Sequence, residues 1–296
     1  MTGATNAGRR FVFRPAGAFS LAAAKAFVAS FAPFMGPEAA AEDGDDCLVL
    51  AFLSDDGRPV AVRLHQTAER VVADVLEGDG GDGLRDQVAR ILSLDIDAGP
   101  YEAIEDEVIT RVREQHPGLR PVHYPTPYEA ATWAVLIQRT QRVQAANIRR
   151  MLAERHGAVV TIDGVDHLTA IPPDEMAAIR EVWGVPPVKV PWLRAVGRAE
   201  LEGDLDAESL RAMDPAEALA RLQEIDGIGP FGAELILVRG ASAPDVFARN
   251  EPLLHRVITH HYGLADPSRA DLVAIAERWR PRRSWATFLL RQATPR

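Results

Sequence analysis

The sequence predicts an α+β protein, with a small antiparallel sheet as its N-terminal domain and a mainly α-helical core after it. Short apolar runs rich in valine, leucine and phenylalanine, separated by turn residues, occupy positions 10–76. From about residue 82 the apolar spacing is helical almost throughout, with capping signals at the restarts. A third feature, a turn of two closely spaced glycines between helices, lies within 222–256 and sets the character of the helical part. The expected domains are residues 1–81 and 82–296.

Four runs read as strands: RFVF at 10–13, CLVLAFL at 47–53, VAVRL at 60–64 and VVADVL at 71–76. Asp55-Asp56-Gly57 supplies turn chemistry between the second and third. One helix over 20–33 interrupts the set, with Ser20 as its N-cap. QVARILSLDID at 87–97 joins the two parts. Thr126-Pro127-Tyr128-Glu129 has the form of a capping box with proline at the first helical position, and opens two helices around Gln138-Arg139-Thr140. Asp214-Pro215 with Glu217, and Asp266-Pro267, mark later helix starts. Gly157, Gly164, Gly184-Val185-Pro186-Pro187 and Gly263 mark breaks. ERWRPRRSWATFLL, Glu277 to Leu290, reads as a C-terminal helix.

The segment Leu222 to Arg256 carries the most chemistry. A helix ends at Ile225-Asp226, the chain turns through Gly227-Ile228-Gly229, and a second helix starts at Pro230. Glycines permit positive φ and close backbone approach, and proline at the first helical position gives up no hydrogen bond. The unpaired amides of such a helix start, over Phe231 and Gly232, suit an anion such as a phosphate. A strand-like Asp245-Val246-Phe247 and a carboxylate, Glu251, follow ahead of another helix.

Composition narrows the alternatives. No apolar run approaches the roughly 18 residues of a membrane span, and no charged-then-apolar leader opens the chain, so a cytoplasmic protein is expected. Cys47 is the single cysteine, which rules out an internal disulfide and a four-cysteine iron–sulfur cluster. No HExxH or CxxC spacing is present, and His260-His261 reads as a helix end, so no metal site is expected. The net charge of −9 is unevenly spread. Residues 1–108 hold 19 acidic against 9 basic side chains, partly in runs such as Glu42-Asp43-Gly44-Asp45-Asp46, whereas the rest holds 23 against 24. The helical part is therefore free to face phosphate, with binding that weakens as salt rises.

Taken together, these blocks resemble the helix-hairpin-helix base-excision DNA glycosylases, and among them the alkyladenine type. The resemblance rests on Gly227-Ile228-Gly229 with Ala233, on the DVF stretch and acidic residue after it, on Tyr124 to Gly157, and on RWRP-RS-A within Glu277 to Leu290. It implies a two-lobed helix-hairpin-helix core, with one lobe near 120–225 and the other formed by 82–119 plus 226–296. It also implies a cleft between the lobes, double-stranded DNA containing a damaged base as partner, and a monomer associated with the nucleoid that needs no cofactor.

An enzyme that acts on a glycosidic bond in a duplex must first rotate the nucleotide out. The resemblance gives the phosphate anchor to Gly227, Ile228, Gly229, Phe231 and Gly232. It gives the helix-filling probe loop to Gln138, Arg139 and Thr140, with Arg139 in place of the usual apolar wedge. Glu251 falls where the family carries its catalytic aspartate, and Asn250 where the alkyladenine branch has a second one. The base pocket is assigned to Phe231, Trp133 and Arg291. Phe231 stands where strand-cutting relatives have a Schiff-base lysine, and the only lysines, Lys25 and Lys189, are set apart from the hairpin in sequence. Simple hydrolysis is therefore expected.

Two positions leave the reading open. Glutamate at 251 moves its carboxylate by about a bond length relative to aspartate, and Asn250 or Glu251 could equally cap the helix entered through Pro252. Arg291 stands where the branch has a tryptophan. It could repel a cationic base, pair with Glu251, or read a neutral base through hydrogen bonds. A non-catalytic relative that binds distorted or abasic DNA is the alternative, and a hairpin module for a protein partner is a third.

Overall fold

The computed structural model describes residues 8–31, 47–182 and 184–293. The acidic run from Glu42 to Asp46, the last two positions of the helix expected over 20–33, and Arg296 lie outside them. The N-terminal elements are β1 (Arg10–Phe13), α1 (Leu21–Ser30), β2 (Cys47–Leu53), β3 (Pro59–Thr67) and β4 (Arg70–Glu77). The strands form one antiparallel sheet in the order β1-β4-β3-β2. Period-two alternation sets its register: Leu48 faces Leu64 and Leu50 faces Val62, and all four are buried. The β2–β3 turn closes through Ser54 N–H to the Arg58 carbonyl at 2.7 Å, with Gly57 at φ +72°. Ser20 caps α1, its Oγ accepting the Ala23 N–H at 3.1 Å.

The helical part comprises α2 (Leu84–Ile91), α3 (Gly99–Glu102), α4 (Glu107–Gln115), α5 (Pro127–Ile137), α6 (Arg142–His156), a strand pair β5 (Val159–Ile162) and β6 (Val165–Leu168), α7 (Pro173–Ala178), α8 (Lys189–Leu201), α9 (Ala207–Ala212), α10 (Pro215–Leu222), α11 (Pro230–Leu235), α12 (Pro252–His261), α13 (Arg269–Glu277) and α14 (Arg283–Gln292). Its buried side chains form two main cores. One joins the sheet and α1 to α2, α4, α12 and α14, and runs up to Val122 and again from Phe247. The other is built on α5, α6, α8, α10 and α11, from Tyr124 to Val246. Apart from Leu53, which packs in the second core, the chain crosses between the cores at 122–124 and at 246–247. Backbone bonds seal the crossing, with Tyr124 N–H donating to the Arg239 carbonyl at 2.8 Å. Among the described residues, no helix is long and apolar enough to cross a membrane.

Four local expectations change. The pair β5–β6 was expected to be helical. Its VVTI-DG-VDHL pattern alternates about an Asp163-Gly164 turn in which both residues have positive φ, the geometry that joins antiparallel strands. Val160 and Ile162 cover the far face of the sheet at Ala61. Asp245-Val246-Phe247 is a turn and extended chain rather than a strand, because Ser284 takes the place of a neighbour. Its Oγ accepts the Val246 N–H at 3.0 Å and donates to the Val246 carbonyl at 2.9 Å. The C-terminal helix starts only at Arg283, after Pro281 interrupts the run from α13. At α5, half of the capping box forms. Thr126 Oγ1 accepts the Glu129 N–H at 3.1 Å, while the Glu129 carboxylate pairs with Arg149 at 2.6 Å.

Candidate active site

Gly227 and Gly229 do different work in the hairpin. Gly227 takes φ +89°, and a Cβ there would stand 2.4 Å from Cγ of Trp192, so the turn needs glycine twice over. Gly229 is the N-cap of α11 at φ −92°, and a Cβ there would meet nothing within 4 Å. Its missing side chain leaves open space in front of the helix start. Ile228 is buried in the second core, and its N–H donates to the Ile225 carbonyl at 2.9 Å. The Gly229, Phe231 and Gly232 amides form no hydrogen bond among the described residues and no side chain caps the helix, so these three donors are open to an anion. Gly232 is buried, 3.5 Å from Ala134 by its would-be Cβ, and lets α11 lie close on α5.

The probe-loop residues stand against this hairpin. Gln138, which caps α5, donates from Nε2 to the Gly227 carbonyl at 2.6 Å. Arg139 is exposed and holds the left-handed φ of +49°, a conformation uncommon for residues other than glycine. Thr140 Oγ1 accepts from Lys189 Nζ at 2.7 Å, and the same ammonium donates to the Leu136 carbonyl at 2.7 Å. Lys189 is therefore not remote from the hairpin, as its place in the sequence implies. It braces the loop that Gln138 ties to Gly227, and burial lowers its pKa.

Glu251 and Phe231 come together. Both line one small cavity between the two cores with Arg239, Phe288 and Arg291. The cavity holds about 30 Å³, room for only one or two waters. Glu251 heads α12 with no side-chain cap bond, and its side chain is 15% exposed. Its carboxylate instead forms a short ion pair with Arg291 Nη1. Of the sequence alternatives for these residues, capping by Glu251 is thus not what the geometry shows. Asn250 is spent otherwise too, donating from Nδ2 to Glu234 at 2.8 Å.

Trp133 does not join this group. It lies on α5, which is buried on nearly every side, and its ring packs in the second core at 4% exposure without lining the cavity.

Two cavity residues have no signal in the chain's local pattern. Glu234 is buried on α11, and its carboxylate accepts the N–H groups of Arg249 and Asn250, each at 2.9 Å, besides the Asn250 amide. Burial, and to a lesser extent the nearby Glu251 charge, raises its pKa while those bonds lower it. It fixes the turn that delivers Glu251. Arg239 sits on the π-helical turn Ile236–Gly240 that continues α11. It lies 4.9 Å from the centre of Phe31 and 5.2 Å from that of Phe288, and donates to the Val122 carbonyl at 2.6 Å. Burial lowers its pKa to about 10, so it stays a cation at neutral pH. A π-helical widening of this kind is frequent at functional positions, and Arg239 on it lines the cavity.

No family model matches the chain. The sequence is 26% identical to a DNA-3-methyladenine glycosylase of Bacillus subtilis over 208 residues, 67% of each chain. It is 30% identical over 207 residues to a Mycobacterium tuberculosis protein named as a probable bifunctional transcriptional activator/DNA repair enzyme AlkA, covering 66% of this chain and 40% of that one. The chain thus spans well under half the length of the mycobacterial relative. In three dimensions it is similar to 3-methyladenine DNA-glycosylase from Archaeoglobus fulgidus, with a TM-score of 0.76 at 20% identity over 95% of this chain and 96% of the other. By its glycine hairpin, its fold and these relatives, the chain is similar to the helix-hairpin-helix DNA glycosylases, and among them to the alkyladenine type.

Proposed function

We propose that the protein is a monofunctional DNA N-glycosylase of base excision repair, acting as a monomer on double-stranded DNA that contains a damaged base. The observation that carries this reading is the shared cavity. A half-buried carboxylate, Glu251, and an aromatic face, Phe231, meet at the lobe junction beside three open amides of a helix start. The amides of Gly229, Phe231 and Gly232 hold a backbone phosphate. Arg139, exposed at the tip of a braced loop, fills the space left in the duplex when a nucleotide rotates out. Phe231 stacks on the extruded base.

The chemistry then needs one bond broken and one made. The C1′–N bond cleaves with its electrons leaving on the base, which picks up a proton. Water adds to C1′ and gives up a proton. Glu251 stabilises the positive charge that develops on the sugar, or receives the proton from water. A Schiff-base route has no amine to use. Position 231 is phenylalanine, and the Lys189 ammonium is held by Leu136 and Thr140.

The test is base release from methylated duplex DNA and from defined hypoxanthine and uracil duplexes, with wild type and Glu251→Gln side by side. Release by wild type that the substitution abolishes is expected. Wild-type protein that binds an abasic-site duplex tightly yet frees no base would overturn the enzymatic reading.

A further inference from the structure

Glu234 lines two cavities, the small one that holds Glu251 and a larger groove of about 470 Å³ bounded by Asp214, Leu219, Phe247, Arg249, Arg280 and Arg283. Five arginines line the two, and four of them are engaged. Arg280 and Arg283 pair with Asp245 and Glu277, and Arg291 pairs with Glu251. Arg239 lies against the rings of Phe31 and Phe288 and donates to the Val122 carbonyl. Arg249 differs. It is exposed, and its guanidinium forms no ion pair or hydrogen bond among the described residues.

The main chain of Arg249, by contrast, is fixed. Its N–H donates to the Glu234 carboxylate at 2.9 Å, and Glu234 lies on α11. The open amides of Gly229, Phe231 and Gly232 stand at the start of that helix, two to five residues earlier, or about 3–8 Å along its axis. One hydrogen bond thus sets the place of Arg249 relative to the anion anchor. Glu251 follows it by two residues. A free cation is held next to both the anchor and the carboxylate.

A DNA strand carries one phosphate per about 3.4 Å of its axis, so a strand held at the three amides brings further phosphates within reach of this side chain. The guanidinium fork takes two oxygens of one phosphate at once. Resting on the glycosylase reading above, we propose that Arg249 is a DNA-binding residue that clamps a second phosphate of the strand held by the hairpin. One such contact weighs heavily here. Residues 109–296 hold 24 basic against 23 acidic side chains, and the other arginines of the groove are already paired.

The test is the salt dependence of binding to an abasic-site duplex, read by fluorescence anisotropy from about 50 to 200 mM salt. Wild type, Arg249→Ala, Arg249→Lys and Arg70→Ala are compared. Arg70, exposed on the N-terminal sheet, removes the same charge far from the hairpin in sequence. Arg249→Ala keeps the N–H that Glu234 accepts, so its melting temperature should match wild type within about 2 °C. Its Kd should rise about tenfold at the low-salt end, as for the loss of a hydrogen bond to a charged group. The slope of log Kd against log salt should fall by about one, the mark of one lost phosphate contact. Arg249→Lys should restore the slope, and Arg70→Ala should keep it. Single-turnover base release at saturating DNA should stay at the wild-type rate in each variant, because Glu251 has not moved. An unchanged slope in Arg249→Ala, or an equal fall in Arg70→Ala, would overturn the clamp and leave the glycosylase reading standing. Slower release at saturating DNA with Kd unchanged would overturn it too, and would make Arg249 a support for Glu251. Wild type that binds no duplex would remove both.

Discussion

Gln138 donates its side-chain amide to the Gly227 carbonyl at 2.6 Å, a hydrogen bond across 89 residues that makes the probe loop and the glycine hairpin one unit. Lys189 holds the loop from its other side, through Thr140 and Leu136. Trp192, one turn along α8 from Lys189, packs against Gly227. The two parts expected to touch DNA thus rest on the same helix, and their relative position is set before any DNA arrives.

Removing the Gln138 bond tests that coupling. Gln138→Ala should raise Kd for an abasic-site duplex about fivefold, the worth of one neutral hydrogen bond near 1 kcal/mol. The melting temperature should hold, because the side chain is only half-buried. Fluorescence anisotropy at fixed salt measures the first and calorimetry the second. An unchanged Kd would mean that DNA sets the loop position by itself.

The two hairpin glycines should separate stability from binding. Gly227→Ala places a methyl in the left-handed region and into Trp192, so it should lower the melting temperature by several degrees, at about 2–4 °C per kcal/mol. Gly229→Ala meets neither obstacle and should melt with wild type. Its methyl stands in front of the three open amides, and Kd for duplex DNA should rise about tenfold, as for the loss of a hydrogen bond to a charged group. Equal effects of the two substitutions on melting would contradict this division.

Glu234 is expected to act on rate through position. Glu234→Gln replaces a carboxylate that accepts three N–H groups with an amide that has one acceptor. The turn at Arg249 and Asn250 should loosen, and Glu251 with it. Base release should fall about a hundredfold, as for a catalytic group displaced by about 1 Å, with Kd for abasic DNA within a factor of about two. A parallel loss of DNA affinity would show that Glu234 supports the binding surface instead.

What the sequence made legible follows from how local each signal is. The strands, the Ser20 and Asp214 caps and the Gly227 turn depend on neighbours a few residues away, and all are present where the pattern puts them. The Asp163-Gly164 turn was equally local, but its short alternating flanks sit inside a long helical stretch and were read with it. Glu234 and Arg239 could not be found this way. Each looks like an ordinary polar position on an apolar helix, and only the return of the chain at 247–251 and the packing of α1 and α14 give them partners. Trp133 shows the converse, since a helix aromatic is a core residue unless the fold opens a space beside it.

Glu200, on α8, carries a pH dependence separate from the site. Burial and the charges of Asp55 and Asp206 push its pKa up to about 8, with Arg90 working in the other direction. The folded protein therefore holds this proton more tightly than the unfolded chain, whose glutamate titrates near about 4.3. The stability it contributes is full below that lower value, declines as pH rises through the interval, and is gone above about 8. Glu200→Gln keeps a neutral side chain of the same shape at every pH. At pH 4 the variant and wild type should melt within a degree or so, and at pH 9 the variant should melt on the order of 10 °C higher. A constant difference across the range would show that packing at Glu200, and not its proton, accounts for the effect.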